Sequence, residues 1–180
     1  GMQEGRHIRC INAADPDDVA HIVRCLNCFE VGRHYCIVFE LMSTTPIRHC
    51  IDLAGSRPGG ASTALQLRVN AVRKVAAQLF AALSLLYRAA VIHADIKPEN
   101  ILLRDNDATC CAVKLADFGN AMAATEEDTA LYYGTFELQS LWYRAPEVIL
   151  GLPFGPAIDV WSAGCVLAEL YLGEPLFAGG

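Results

Sequence analysis

HADIKPEN, residues 93–100, sets a histidine, an aspartate, a lysine and an asparagine within eight positions. A carboxylate, an ammonium and an amide oxygen at this spacing suit phosphoryl transfer, which asks a protein for positioning and charge neutralisation more than for covalent help. Two short stretches follow in order, Asp117-Phe118-Gly119 and Ala145-Pro146-Glu147. Each alone is a weak signal; three in register, with a long segment between the last two, make a strong one.

The chain around them has 180 residues, 53% apolar, with a formal net charge of −6. That supports a real core and removes the global basic field expected of a protein that binds nucleic acid or an acidic membrane. Eight cysteines invite a disulfide framework, but residues 1–10 are polar and lack the apolar core of a signal peptide. Cys25 and Cys28 form a C-x-x-C. A zinc site would want a second pair, and Cys110-Cys111 has the wrong spacing, so the two are read as buried free thiols beside a strand. The apolar stretch 75–92 is interrupted by Gln78 and Arg88 and has a helical period, which predicts a core helix and no membrane span.

Residues 21–42 read as two strands joined by a polar turn at Glu30 to His34. PGGASTA, 58–64, reads as a flexible joint. Val69, Val72, Val75, Leu79, Leu83 and Leu86 mark one face of a helix over 67–87. Short strands are expected at 91–92, 101–103 and 113–116. Residues 117–147 lack a steady period and read as a long loop, of the kind that carries function inside a compact domain. Residues 159–172 are apolar nearly all round, which predicts a helix buried in the core.

The three motifs resemble the set found in eukaryotic protein kinases. The resemblance covers nearly the whole chain and implies an α+β, protein kinase-like fold that is incomplete here. Residues 1–39 would be the end of the small lobe, 40–42 the hinge, and 43–180 a truncated large lobe. It implies ATP and Mg2+ as cofactors and protein substrates, with no nucleic acid or membrane. Asp95 would orient the substrate hydroxyl and accept its proton, and Lys97 would reach the transferring phosphate. Asn100 and Asp117 would offer oxygen ligands to magnesium. His93 and Phe118 would serve packing. DIKPEN is similar to serine/threonine kinases rather than dedicated tyrosine kinases, and Ser140 stands where that class places a hydroxyl near the aspartate and lysine. Glu147 would pair with a distant arginine. Asp159 resembles the aspartate that holds the catalytic loop from below; a helix N-cap is its other reading.

LQSLWYRAPEVILG, 138–151, is similar to the CMGC group, most of all to the DYRK and homeodomain-interacting kinases, with the pre-mRNA-processing kinases close behind. In that group Arg144 would turn a backbone carbonyl away from the substrate, favouring proline after the phosphoacceptor. Carried upstream, the resemblance makes Glu4 the candidate ion-pair glutamate, against a frayed terminal residue. It makes Phe39 the gatekeeper, Glu40, Leu41 and Met42 the hinge that meets adenine, and Leu102 the floor beneath the ring. Phe39 and Leu102 also suit ordinary core positions.

Where DYRK kinases carry a phosphotyrosine met by two arginines, this chain has Glu137, with Leu141 and Arg144 at the arginine positions. A Glu137–Arg144 pair would match a smaller anion with one cation. Tyr132, Tyr133 and Thr135 are candidates for modification. Ala94 replaces an arginine common in phosphotransferases of this kind, but the pre-mRNA-processing kinases also use alanine there. The Gly-rich loop and paired lysine are expected before Gly1, and the 180 residues alone are expected to be inactive. The competing readings are a pseudokinase or docking module, and a fragment that competes for a kinase's substrates. The lack of targeting signals points to cytoplasm or nucleus.

Overall fold

The computed structural model describes residues 1–49, 60–104, 111–133 and 138–179, and of 60–64 the backbone alone. Helix α1, Met2–Ala13, buries Ile8 and Ile11, three residues apart on one face. It lies against strand β1, Cys25–Val31, which pairs antiparallel with β2, His34–Phe39. Gly32 and Arg33 join the strands, with Gly32 at φ +62, a left-handed position that glycine takes without a Cβ clash. The polar turn is therefore two residues long, tighter than Glu30 to His34. Asn12, in the last turn of α1, clips the helix to the sheet: its Nδ2 donates to the Val23 carbonyl at 3.1 Å and its Oδ1 accepts from the Cys25 amide at 2.8 Å.

Helix α2, Gly60–Arg88, begins well before the expected position, so the second half of PGGASTA is helical and not a joint. Of the residues that the periodicity marked, Val75, Leu79, Leu83 and Leu86 are buried, while Val69 and Val72 are half-buried; Ala71 and Ala82 join the buried side. Residues 65–88 are long and apolar enough to cross a membrane by length and composition. They pack instead on strand β5, Val113–Leu115. Gln78 completes that contact by donating to the Cys111 carbonyl and accepting from the Val113 amide.

Strand β3, Val91–Ile92, pairs with β6, Met122–Ala123, and β4, Ile101–Leu103, with β5. A parallel bridge from Ile22 to Leu115 ties the segment ahead of β1 to β5. Residues 117–147 are not one irregular loop. Besides β6 they contain helix α3, Glu126–Ala130, a 3-10 turn at Leu141–Tyr143 and the start of helix α4, Pro146–Ile149. Thr125 starts α3 by accepting from the Asp128 amide at 3.1 Å, the local bond that lets so short a helix form.

Helix α5, Ala157–Leu172, ends at Gly173 with φ +94 and packs on α2. It is only half covered: Val160 is 49% and Trp161 39% exposed, so the all-round burial expected of 159–172 does not hold. The principal core gathers α1, α2, β4, β5, Phe118 and one side of α5. A second cluster, Ile92, Ala94, Met122, Leu138, Ala145, Val148 and Ile158, lies under the end of the 117–147 segment.

Candidate active site

The 93–100 segment leaves β3 and passes directly over α5. The Asp159 carboxylate is 2% exposed, and it accepts the His93 amide at 2.7 Å and the Ala94 amide at 2.9 Å. Asp159 is thus not the N-cap, a position held by Pro156; its side chain is spent on the loop. Burial pushes its carboxyl up, against the pull of His93 and the two amides.

His93 is fully buried and locked at three points. Its Nε2 meets the Ala116 carbonyl at 3.0 Å, its Nδ1 accepts from the Asp95 amide at 3.3 Å, and its ring stands edge-on to Phe118 with centroids 4.8 Å apart. A carbonyl at Nε2 and an amide donor at Nδ1 specify the neutral Nε2–H tautomer. Desolvation agrees, lowering the ring's pKa. Ala94 takes φ +64, which turns the chain and aims Asp95 outward from the loop.

Asp95, Lys97 and Ser140 close a triangle. Lys97 Nζ donates to Asp95 Oδ2 at 2.8 Å, Ser140 Oγ donates to Asp95 Oδ1 at 2.8 Å, and Lys97 Nζ lies 3.3 Å from Ser140 Oγ. Burial pushes Asp95 up, but the bonds from Lys97 and Ser140 outweigh it and hold the carboxyl below its usual range. Lys97 moves up in turn, chiefly through its bond to Asp95. Asn120, which the motifs did not single out, also reaches Asp95 Oδ2, at 3.5 Å.

Pro98 opens a 3-10 turn that delivers Asn100 beneath Asp95. Asn100 Nδ2 donates to the Asp95 carbonyl at 2.8 Å and to Asp95 Oδ2 at 3.4 Å, which spends the amide's two donors and leaves its carbonyl oxygen for another partner. The Ala116 amide donates to the Asn100 carbonyl at 2.9 Å, so Asp117 follows one residue away. Asp117 is exposed, stands at φ +63, and accepts the Gly119 amide through one oxygen. An amide oxygen and a carboxylate are hard donors that fit magnesium. Among the described residues no group of three or more His, Cys, Asp or Glu could hold a metal alone.

The 40–42 segment is positioned by a residue that sequence reasoning missed. Lys114, in the middle of β5, has only 3% of its side chain exposed. Its ammonium donates to Asp18 and to Glu40, both at 2.7 Å. The same Glu40 carboxylate accepts the Arg24 amide at 2.7 Å, and the Glu40 amide donates to the Arg24 carbonyl. Leu41 is almost wholly exposed, while Phe39, Met42 and Leu102 pack partly buried on the core. Glu4 sits in the first turn of α1.

Beyond Ser140, Gln139 takes φ +62 and buries its side chain. It donates to the Ile158 carbonyl and to Ser162, and accepts the Ala145 amide at 2.9 Å. Arg144 donates through Nη2 at 2.8 Å and Nε at 3.3 Å to the Gln139 carbonyl. The expected partner Glu137 lies outside the described residues, as does Thr135. Glu147 lines the open side of α5, next to Ala157 and Trp161.

A model of the protein kinase domain matches residues 4–180. The serine/threonine-protein kinase ppk15 of Schizosaccharomyces pombe is 44% identical over 168 residues, 93% of this chain and 28% of its own length. Homeodomain-interacting protein kinase 4 of Mus musculus is 40% identical over 96% of this chain and 26% of its own length. Serine/threonine-protein kinase prp4 of S. pombe is 38% identical over 99% of this chain and 34% of its own length. The chain spans about a sixth to a third of the length of the curated relatives it matches.

Proposed function

Because this chain belongs to the protein kinase family, we propose that it is the catalytic part of a serine/threonine kinase of the DYRK-like CMGC type, moving the γ-phosphate of ATP to a protein hydroxyl. The observation that carries this reading is the triangle of Asp95, Lys97 and Ser140 on a loop suspended from Asp159. Asp95 already accepts one hydroxyl, that of Ser140, and a substrate hydroxyl would meet the same carboxylate. A carboxyl held below its usual range is a weak base, so Asp95 orients the oxygen first and takes the proton late. That order suits a transition state with little bonding to the nucleophile. Lys97, fully protonated beside Asp95, would offer charge to the moving phosphoryl group. Asn100 and Asp117 would hold magnesium, which neutralises phosphate charge when bound. Glu40 to Met42 would meet the adenine, and Glu4 would face the strand lysine of a longer chain.

A preference for proline after the phosphoacceptor follows from Arg144. Its guanidinium engages the Gln139 carbonyl, so that acceptor is not free for a substrate amide. Proline has no amide hydrogen and loses nothing there. The 180 residues alone contain no glycine-rich phosphate loop and are expected not to turn over. The test is phosphotransfer to Ser-Pro and Ser-Ala peptides by the longer protein, with Asp95→Asn as comparison. Replacing the aspartate should cost about 10²–10⁴-fold. An unchanged rate would refute the assignment, and no phosphotransfer by the unaltered longer protein would favour a docking module with a kinase fold.

A further inference from the structure

The Sγ atoms of Cys25 and Cys28 lie 3.3 Å apart. Residues three apart on a regular strand face opposite sides of the sheet. The register explains the exception. Cys25 pairs with Phe39, Asn27 with Val38 and Cys28 with Ile37, so Leu26 is one residue too many. This bulge resets the alternation. Measured along β2, the cysteines stand opposite residues 39 and 37, two apart, and so share a face. Both are free and half-buried, which corrects the expectation of buried thiols. Tyr35 adjoins them, its phenol pKa raised by its bond to Cys28, and Arg9 of α1 lies near enough to act on both Cys25 and Tyr35 through its charge.

We propose that this pair is a modification site that closes to an intramolecular disulfide when the protein meets a hydroperoxide. The Cys28 sulfur attacks a peroxide oxygen, giving the sulfenic acid and, from hydrogen peroxide, one water. The Cys25 sulfur then attacks the sulfenic sulfur. The S–S bond forms, and the departing hydroxide takes the Cys25 proton as a second water. Two thiols lose two electrons and one peroxide gains them. Burial and the bond to Cys28 push Cys25 up to about 11, which favours Cys28 as the first nucleophile. The sulfurs need to approach only to about 2.0 Å.

The location gives the closure a reach beyond the strand. Cys25 faces Phe39 across the ladder, and its neighbour Arg24 is held by the Glu40 carboxylate. Any effect on nucleotide binding rests on the kinase reading; the closure itself does not.

The test treats the reduced protein with hydrogen peroxide, traps remaining thiols with iodoacetamide and maps peptides by mass. The expected product has lost two hydrogens, is protected at residues 25 and 28, and is still alkylated at the exposed Cys10. Closure should run at least about tenfold faster in the folded protein than in concentrated urea, as preorganisation requires. Cys25→Ser should stop at a Cys28 sulfenic acid that dimedone traps. No cross-link in the folded protein, or equal rates in urea and buffer, would overturn the proposal. Rapid oxidation of Cys25 in Cys28→Ser would overturn the order of attack. None of these readouts needs kinase activity, so failure here and failure of the kinase reading are distinguishable.

Discussion

The two segments flanking the candidate site are fixed in opposite ways. The 93–100 loop hangs from Asp159, whose two oxygens each take one backbone amide in a dry site. Glu40 takes one backbone amide, that of Arg24, and is otherwise held by charge, through a Lys114 ammonium shared with Asp18; both carboxylates are about a quarter exposed, 28% for Asp18 and 24% for Glu40. An enclosed carboxylate on amides cannot be screened by salt, whereas a charge cluster at an edge can. The loop with the reactive groups thus has one way to sit. The anchor of the 40–42 segment is the one that salt can weaken.

The largest test of that contrast is Asp159→Ala. It orphans the His93 and Ala94 amides and should cost about 3–5 kcal/mol in urea unfolding. Asp159→Asn, which restores one acceptor, should recover part. A cost under about 1 kcal/mol would mean the loop is anchored elsewhere. Lys114→Met should cost less, about 2–3 kcal/mol, because its partners are partly solvated. That cost should shrink in high salt, while the Asp159→Ala cost should not; equal salt responses would break the comparison.

The two aspartates should also split the pH profile. The folded protein holds Asp95 below the ordinary carboxylate range, so its stabilisation is complete above that range and is lost as pH falls through the lower folded value. Asp159 is raised, so its contribution is greatest in acid and is lost as pH rises through the folded value. Unfolding midpoints across the acid range should therefore lose their steep acid fall in Asp95→Asn. The smallest effect belongs to Thr125→Ala, away from both anchors. It should lower stability by about 1 kcal/mol or less, read as a thermal shift.

The motif residues were legible in the sequence because they lie close along the chain and their chemistry is specific. Asp95, Lys97, Asn100 and Asp117 fall within 23 positions. Lys114 was not legible: between Val113 and Leu115 it looks like the polar residue of a half-exposed strand, yet β5 is buried on both faces. Among the described residues, Asp18 and Glu40, distant in sequence, make its burial tolerable. Gln139 was equally hidden, since its value comes from Ser162, Ala145 and Ile158 converging on one amide. The thiol pair was visible as a spacing but not as a contact, because a bulge decides which face each residue takes. Helix α5 was misjudged because apolar composition cannot say which side a partner covers.

Ala94 carries a consequence for what this site can accommodate. It has no exposed surface, sits at positive φ, and touches a cluster of Ile92, Met122, Leu138, Ala145, Val148 and Ile158. An arginine introduced there would press its long side chain against those apolar neighbours. The position favours a small side chain, so a change to arginine there carries a packing cost on top of any charge it adds.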